Sequence, residues 1–471
     1  MGYYIGIDLG TTGTRCIVYT NTFEISGECY KEYPVIYSGN GFIEQDANLW
    51  WSLTASTVRE ALALSGTSSG EVNAIAISSQ GISIVPVDKH FNPLTNAISW
   101  LDARAKEETI EILNHYDQDF IYSHTGKLAL ASCTLPKLMW MRKYCPSIFS
   151  SAKYFLLPHD FLVSKLTGKP VTDHTMAAGT LLYDLKNKKW SQELSDAFGI
   201  DTEKLPRILW GGQPAGKLTK QAARELNLIE GIPVVAGGQD QKCAAYAAGL
   251  NENAATVSLG TAAAISKLCD TCSSKTISKF SYFLPDAILS EGAVETAGMA
   301  LRWLRDTFFP QKSYLELDKL AQDSLGLGNL LFHPYLTGQE GSGTGANLSG
   351  LSLKTVPGEV VCAVMEGVAF EIRKILQAMD IMSITELRVF GGGAKSSIWP
   401  KIIASATGIN VYTMNSPEMA CLGAALLAAC GIGERSISCP SPATTMAKIY
   451  PDESLSSVYE ERFEIYESRC K

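Results

Sequence analysis

The sequence predicts an α/β protein made of two similar domains, and three observations lead to that fold class. The chain has 471 residues, which favours two or three domains over one. Apolar β-type runs repeatedly end in glycine-rich corners and continue into helical segments. A pattern of strand, Leu-Gly-Thr and strand near the N-terminus returns close to residue 257. We therefore expect a duplication, with domains at residues 1–245 and 246–471.

Composition and net charge limit the classes of function that the sequence is expected to have. The chain is 46% hydrophobic and 19% charged, which is ordinary for a globular protein with buried cores. Its net charge of −8, without a long basic run, counts against nucleic acid or an anionic membrane as a partner. The N-terminus enters a strand directly, and the apolar stretch 420–432 is too short to span a bilayer. We expect a cytoplasmic enzyme, with a homodimer as its candidate assembly.

The twelve cysteines are scattered and are interpreted as reduced. Cys269 and Cys272 form the one CxxC pair, and neither a second pair nor a nearby histidine pair accompanies it. Zinc binding or redox work is therefore not expected there.

The segment 231–246 holds the first candidate for catalysis. An apolar run, 232–236, ends in two glycines and leads through Gln239, Asp240 and Gln241 into an alanine-rich helix. Asp240 could cap that helix, a role worth ~1 kcal/mol. It could also act as a general base, because neighbouring glycines let a ligand approach the backbone. The residues alone leave both roles open.

The N-terminal segment predicts a β-hairpin with a polar tip. Gly10 and Gly13 supply the conformational freedom that a tight turn needs, and Thr11 and Thr12 bring hydroxyl groups to it. This surface suits phosphate oxygens and a hydrated Mg²⁺ held by Asp8. The alternative is a threonine-rich hairpin with a solvated aspartate.

The second copy of this pattern begins at Val257. It repeats the Leu-Gly-Thr sequence with Gly260 and Thr261, but Ser258 stands where the first copy has Asp8. Only one copy keeps the carboxylate, which indicates a single active site.

Several polar corners in the first half are candidates for holding a polyhydroxylated ligand. Gln80 and Gly81 follow a buried strand, although a simple tight turn explains them equally well. Trp100 with the nearby Asp102 and Arg104 suits sugar binding, the alternative being an interior tryptophan and a surface ion pair. Asp173, in a predicted loop at 172–174, could contact substrate or cap the next element.

Other segments give structural expectations. Residues 105–170 are predicted mainly helical, with breaks at Pro136 and Pro146. The triple glycine 391–393 lies between a strand and a helix, where a nucleotide could approach the backbone. Residues 418–430 predict a packed helix of small residues, and the tail 452–471 predicts a helix that docks on a domain surface.

Taken together, these motifs resemble those of the FGGY carbohydrate kinases. The resemblance rests on Asp8-Leu-Gly-Thr-Thr, Gly-Gly-Gln-Asp240-Gln, Leu-Gly260-Thr261 and Gly391-Gly-Gly-Ala-Lys, with Ser132-x-Thr-x-x-Lys137-Leu-x-Trp140 and Glu366-Gly-Val-Ala. It implies two duplicated ribonuclease H-like (actin-like ATPase) domains with a deep interdomain cleft, which bind MgATP and a sugar, polyol or sugar acid.

The resemblance also implies roles for individual residues. Asp240 corresponds to the catalytic base and Asp8 to the Mg²⁺-side carboxylate. The implied ATP-binding positions are Thr11, Thr12, Gly260, Thr261, Gly298, Gly392, Gly393 and Ser397. The implied substrate positions are Gln80, Gly81, Trp100, Asp173 and Gln241.

Departures from the family pattern bear on the substrate. Glycerol kinases have Gln-Arg-Glu where this chain has Gln80-Gly81-Ile82, and xylulokinases have Gln-Met-His-Gly there. Residues 338–344 replace the usual Gly-Glu-Arg-Thr-Pro. The chain resembles the xylulokinase-like branch, so we expect transfer of the ATP γ-phosphoryl group to a primary hydroxyl of a ketose such as D-xylulose. The alternatives are a kinase for gluconate or erythritol, and an actin- or chaperone-like ATPase with protein partners.

Overall fold

A computed structural model describes residues 2–39, 41–338, 345–379, 381–415, 418–439 and 441–468. Two compact units make up the chain. The first comprises residues 1–247, 278–289 and 419–442, and the second comprises residues 248–277, 290–418 and 443–471. Most of the 338–344 segment, whose sequence departs from the family pattern, lies outside the described residues.

The strands, in chain order, are β1 (Tyr3–Leu9), β2 (Gly13–Thr20), β3 (Ile25–Glu32), β4 (Ile36–Tyr37), β5 (Ile43–Gln45), β6 (Val72–Ser79), β7 (Val85–Val87), β8 (Ala97–Ile98), β9 (Tyr154–Leu156), β10 (Val171–Asp173), β11 (Tyr183–Asp184), β12 (Lys189–Trp190), β13 (Arg207–Leu209), β14 (Pro214–Lys217), β15 (Pro233–Gln239), β16 (Ala254–Leu259), β17 (Ala263–Leu268), β18 (Ser278–Ser281), β19 (Ile288–Val294), β20 (Leu331–His333), β21 (Asn347–Ser349), β22 (Glu386–Phe390), β23 (Asn410–Met414) and β24 (Thr445–Ile449).

The α-helices are α1 (Ala47–Ser65), α2 (Lys106–His115), α3 (Gln118–Thr125), α4 (Thr134–Tyr144), α5 (Pro146–Ser151), α6 (Pro158–Thr167), α7 (His174–Ala177), α8 (Gln192–Ala197), α9 (Lys220–Leu226), α10 (Asp240–Ala247), α11 (Gly298–Phe308), α12 (Tyr314–Gln322), α13 (Pro357–Ala378), α14 (Trp399–Thr407), α15 (Met419–Gly431) and α16 (Glu453–Ser468). In the described part of the chain, none of them is both long and apolar enough to cross a membrane.

The first unit is organised around a sheet with strand order β14-β15-β6-β1-β2-β3. Strands β1 and β2 form the predicted hairpin, and β1 also pairs in parallel with β6. Both faces of the sheet bury apolar side chains, since the successive residues Ala74, Ile75, Ala76 and Ile77 of β6 alternate between the faces and are all fully buried. Helix α1 covers β2 and β3, and α15 covers β1, β6 and β15.

Helix α15 confirms the prediction of a packed helix of small residues. Its backbone approaches β1 so closely that a Cβ atom on Gly6 would lie 2.1 Å from Cys421 O. A Cβ atom on Gly423 would likewise lie 2.1 Å from Cys243 O on α10. Small side chains are therefore required on both sides of these contacts.

The second unit repeats the strand arrangement of the first. Strands β16 and β17 form an antiparallel hairpin and β16 pairs in parallel with β22, as β1 does with β2 and β6. The strand order through this unit is β19-β17-β16-β22-β23-β24. Helix α16 docks through the buried Tyr459, Phe463 and Tyr466, whose rings surround Phe370. The predicted docking of the tail is confirmed over its described residues.

Two local predictions were wrong. Pro136 does not break a helix, because it lies in the first turn of α4, where a backbone N–H has no intrahelical acceptor and its absence costs nothing. Residues 172–174 are not a loop, since Thr172 and Asp173 belong to β10 and His174 begins α7.

Candidate active site

The tip of the β1–β2 hairpin is held in a defined shape by backbone contacts. The Gly10 N–H donates to Gly13 O at 2.9 Å, and the Tyr33 N–H donates to Thr12 O at 3.0 Å. The Tyr33 hydroxyl donates to Gly10 O. Thr12 is exposed and Thr11 is half-buried at this tip. The hairpin therefore presents threonine hydroxyl groups on a turn with little freedom to rearrange.

Asp8 lies on β1 just before this tip, and its carboxylate is oriented by the neighbouring strand. The Ser78 hydroxyl of β6 donates to Asp8 Oδ1 at 2.8 Å, because Asp8 and Ser78 are partners in the parallel register. Asp8 is half-buried, whereas Ser78 is fully buried. Burial raises the pKa of the nearby Tyr33 hydroxyl, and the negative charge of Asp8 adds to that effect.

A hydrogen-bonded chain of side chains links this hairpin to the predicted sugar-side residues. The Trp100 indole N–H donates to Thr11 Oγ1 at 2.8 Å. Gln45 Nε2 donates to Thr11 O at 2.6 Å, and Gln80 Nε2 donates to Gln45 Oε1 at 3.1 Å. Of the sugar-side predictions, Gln80 and Trp100 thus lie in one network with the phosphate-side prediction Thr11.

Gln80 adds to this network a side-chain oxygen that accepts no hydrogen bond from the described residues. Its side chain is 2% exposed, and within the described residues its Oε1 atom has no hydrogen-bond partner. A buried acceptor in that state costs ~1–3 kcal/mol unless a ligand or water donates to it. Gly81 follows, and a Cβ atom there would lie 3.3 Å from Gln239 Cγ, a tight contact that a small shift of that side chain would relieve.

The structure contradicts the alternative interpretation of this segment, which was an interior Trp100 and a surface ion pair between Asp102 and Arg104. The tryptophan is 39% exposed rather than interior, and the ion pair is buried rather than on the surface. Arg104 Nη2 lies 2.8 Å from Asp102 Oδ2 and 2.9 Å from Glu44 Oε1. Burial opposes ionisation of Asp102, but hydrogen bonds from Arg104 and the Ile43 N–H outweigh burial and lower its pKa.

Asp240 is the first residue of α10, at the end of β15. The cap of this helix comes mainly from Gln239, whose Oε1 atom accepts the Gln241 N–H at 3.1 Å and the Lys242 N–H at 3.3 Å. Asp240 Oδ1 accepts the Gln241 N–H at 2.7 Å and a bond from Gln239 Nε2. Asp240 and Gln241 are both half-buried. Capping of α10 was the alternative to a base role for Asp240, and Gln239 shares that capping role.

Asp173 is a helix cap in this structure. It is fully buried, and its carboxylate accepts the Thr175 N–H at 2.8 Å, the Met176 N–H at 3.0 Å and the Thr175 hydroxyl at 3.0 Å. Burial raises the pKa of Asp173 to about 6, against the lowering effect of those hydrogen bonds. Direct contact between Asp173 and substrate remains a prediction.

In the second unit, the β16–β17 turn is joined to the start of α11. The Gly298 N–H donates to Gly260 O at 2.9 Å, and the Met299 N–H donates to Thr261 O at 3.0 Å. A Cβ atom on Gly298 would lie 2.4 Å from Gly260 O, so glycine is required for this approach. The structure thus brings together three of the predicted nucleotide positions, Gly260, Thr261 and Gly298.

The triple glycine lies beside the same turn. A Cβ atom on Gly393 would lie 2.5 Å from Leu259 Cγ, whereas one on Gly392 would meet nothing within 4 Å. Ser397 is held differently, because its N–H and hydroxyl both donate to Asp318 Oδ2, at 2.8 and 3.2 Å. Gly392 is exposed and faces open space, which suits a backbone that a ligand approaches.

Several residues in these contacts were missed by sequence reasoning, and Gln45, Ser78 and Asp318 show why. Gln45 and Ser78 are polar residues near the ends of strands, and no local pattern distinguishes such a residue as part of a site. Asp318 lies within an amphipathic helix, α12, where an aspartate usually faces solvent. The signal in each case is burial, at 0%, 0% and 6% exposure, and burial of a polar side chain becomes visible only in the fold.

Comparison with known proteins agrees with the fold and the motifs. The N-terminal domain of the FGGY family of carbohydrate kinases matches residues 3–247, and its C-terminal domain matches residues 258–432. The xylulose kinase of Staphylococcus xylosus is 28% identical over 484 residues, covering 99% of each chain.

Two solved structures from Lactobacillus acidophilus are similar over nearly the whole chain. A ligand-bound xylulose kinase is 25% identical with a TM-score of 0.92, covering 99% of this chain and 97% of that one. A gluconate kinase is also 25% identical with a TM-score of 0.92, covering 99% of this chain and 96% of that one.

The chain therefore belongs to the FGGY family of carbohydrate kinases. It has the two-domain actin-like ATPase fold predicted from its motifs. It is an ATP-dependent sugar kinase, a phosphotransferase with an alcohol group as acceptor.

Proposed function

We propose that this kinase phosphorylates a primary hydroxyl of a neutral ketose, with D-xylulose as the first candidate. The observation that carries the proposal is the buried Gln80 Oε1 acceptor, whose side chain is linked through Gln45 and Thr11 to the partly exposed Trp100. A sugar offers hydroxyl donors for such an acceptor and an apolar ring or chain face for an indole. The relatives named xylulose kinases support the choice of ketose.

The charges beside this network favour a neutral sugar over a sugar acid. Arg104 is engaged by Asp102 and Glu44, so its charge is already neutralised. Lys137 is fully buried, and its Nζ atom donates to Ser99 O at 2.7 Å. Neither side chain is presented to a carboxylate ligand. The similar gluconate kinase structure nevertheless makes an aldonic acid the second candidate.

In the proposed mechanism, Asp240 accepts the proton of the attacking hydroxyl. Phosphoryl transfer has a loose transition state, so positioning and charge neutralisation dominate catalysis. The backbone groups at Gly260, Gly298 and Gly392 suit close contact with the nucleotide. Thr11, Thr12 and Thr261 add hydroxyl donors for phosphate oxygens.

The residues present fit a Mg²⁺ ion carried by ATP. Among the described residues no group of three or more His, Cys, Asp or Glu side chains forms a protein-only metal site. A hydrated Mg²⁺ on nucleotide phosphates needs only one or two carboxylates, and Asp8 offers one oriented by Ser78. When bound there, the ion would neutralise charge on the phosphate oxygens.

A coupled ADP-release screen tests the substrate. The purified chain, MgATP and panels of ketoses, aldonic acids and polyols should give the highest kcat/KM with D-xylulose. Highest turnover with gluconate would establish the second candidate. ATP hydrolysis that no sugar stimulates would contradict the proposal and favour a conformational ATPase.

Asp240→Asn tests the proposed base. We expect kcat to fall by about 100-fold or more, since removing a general base costs ~10²–10⁴. Nucleotide affinity, measured by calorimetry with MgADP, should stay unchanged. Asp323→Asn, at an exposed helix end, is the matched control. Near-normal turnover of Asp240→Asn would remove Asp240 from this role.

A further inference from the structure

The backbone immediately before Asp240 is bulged, and it leaves the regular pairing of the sheet. Strand β15 pairs with β6 at Val235↔Ala76 and next at Gly238↔Ser78, so three residues of β15 advance against two of β6. A bulge leaves the extra residue without its ladder partner. Gly237 is required at this point, because a Cβ atom there would lie 1.8 Å from Ile77 O.

Two side chains from outside the sheet accept hydrogen bonds from backbone N–H groups, one within this bulge and one just after it. The Gly237 N–H donates to His159 Nε2 at 3.3 Å. The Gln239 N–H, one residue before Asp240, donates to Thr175 Oγ1 at 2.9 Å. His159 lies in the first turn of α6 and Thr175 belongs to α7, so both helices contact the strand end through these groups.

Each of these side chains is itself held by a buried carboxylate. His159 is fully buried, and its Nδ1 atom lies 3.1 Å from Asp160 Oδ1. Because Nε2 accepts a hydrogen bond, the proton of the neutral ring is on Nδ1 and is donated to Asp160. The Thr175 hydroxyl donates in the same way to Asp173 Oδ1 at 3.0 Å. Both acceptors are thus fixed in direction.

We propose that His159 and Thr175 are positioning residues for Asp240, which they hold by fixing the backbone in the bulge at Gly237 and just after it at Gln239. The inference rests on the proposed role of Asp240 as base. Without these two bonds the bulge could return to regular pairing, which would shift the start of α10. A displacement of about 1 Å at a reacting group costs ~100-fold in rate. Asp173 then acts through Thr175 rather than by touching substrate.

The main test compares Thr175→Val with Thr175→Ser. Valine keeps the shape but lacks the oxygen, whereas serine keeps the oxygen. We expect Thr175→Val to lower kcat between about 10- and 100-fold with little change in the KM values for sugar and ATP. Thr175→Ser should recover most of the rate. Thr57→Val removes an equally buried hydroxyl from α1 and should leave the kinetics unchanged.

A second pair of variants tests the histidine independently. The amide of asparagine reaches about as far as Nδ1, and that of glutamine about as far as Nε2. His159→Asn should therefore lose the contact with Gly237 and lower kcat, and His159→Gln should retain it. This pair decides the proposal if Thr175→Val does not fold.

A double variant separates positioning from a general structural role. In the Asp240→Asn background, adding Thr175→Val should change the residual rate by less than about twofold, because the hydroxyl acts through Asp240. A further tenfold loss would overturn the proposal, as would a wild-type kcat in both Thr175→Val and His159→Asn. Normal turnover of Asp240→Asn itself would instead remove Asp240 from its proposed role as base, the premise on which this inference rests.

Discussion

Single buried polar groups determine how the predicted site residues are presented. Asp8 and Asp240 were predicted from their local sequence, since each is a carboxylate at the end of an apolar strand beside glycines. Their partners Ser78 and Thr175 were not predicted, because they come from strands and helices distant in sequence. A local pattern indicates which residues can do chemistry, but only the fold indicates which atoms orient them.

Ser78→Ala tests the orientation of Asp8. Loss of one hydrogen bond to a carboxylate costs about 1–3 kcal/mol, so we expect the half-saturating Mg²⁺ concentration to rise about fivefold or more, with the fold intact. Ser195→Ala is a suitable control, since Ser195 Oγ is buried and has no partner within the described residues. An unchanged Mg²⁺ dependence of the kinase rate would contradict the role given to Asp8.

Lys137 predicts a pH dependence of stability. Burial lowers its pKa to about 7, whereas in the unfolded chain it is ~10.4. Between these values the unfolded chain holds more protons at Lys137 than the folded protein, so the free energy of unfolding rises with pH. The slope is at most ~1.36 kcal/mol per pH unit, is about half of that at pH 7, and vanishes more than about one unit below pH 7, where both states are protonated.

Urea unfolding of the wild type and Lys137→Met at pH 6, 7, 8 and 9 measures this contribution. From pH 7 to 9, the wild type should gain up to about 2 kcal/mol relative to the variant. Between pH 6 and 7 the gain relative to the variant should be only about 0.3 kcal/mol. Parallel stability curves over the whole range would show that Lys137 keeps an ordinary pKa.

At the scale of elements, hydrophobic pattern and turn residues predicted the duplicated hairpins, the strands around them and the docked tail helix. They failed where tertiary context outweighed a local rule. Pro136 reads as a helix breaker until the start of α4 is known to lie at Thr134. The strand β10 has three residues, too few for periodicity to be seen.

The glycine loop after β22 offers a test at this scale. Gly392→Ala should leave the melting temperature unchanged, because its Cβ atom would meet nothing within 4 Å. If the nucleotide approaches this backbone, the KM for ATP should rise about tenfold, equivalent to ~1.4 kcal/mol. Gly70→Ala, which also faces open space, is the control. An unchanged KM would exclude close contact with the nucleotide at Gly392.

At the scale of the whole molecule, the family and its duplicated fold were predicted from motifs spread over the chain. The unit in which α15 packs could not be predicted, because the sequence of this helix indicates close packing but not which sheet it covers. It comes from residues 419–431 and belongs to the first unit, against β1, β6 and β15. The homodimer remains a prediction, which sedimentation of the 51.0 kDa chain would decide.

Because residues 419–431 pack in the first unit, a fragment that lacks them should behave differently from the full chain. Residues 1–247 expressed alone lack α15, so one apolar face of the central sheet stays exposed. We expect the fragment to bind the dye ANS and to lack near-ultraviolet circular dichroism, unlike the full chain. Cooperative unfolding of the fragment with a native spectrum would show that α15 is dispensable for the first unit.

The same contact has a consequence for biosynthesis. The ribosome completes residue 247 well before it reaches the segment that ends at residue 442 of the first unit. At ~5–20 residues per second that interval is roughly 10–40 s. During it, the nascent chain carries an uncovered sheet, which is the kind of surface that chaperones and proteases recognise.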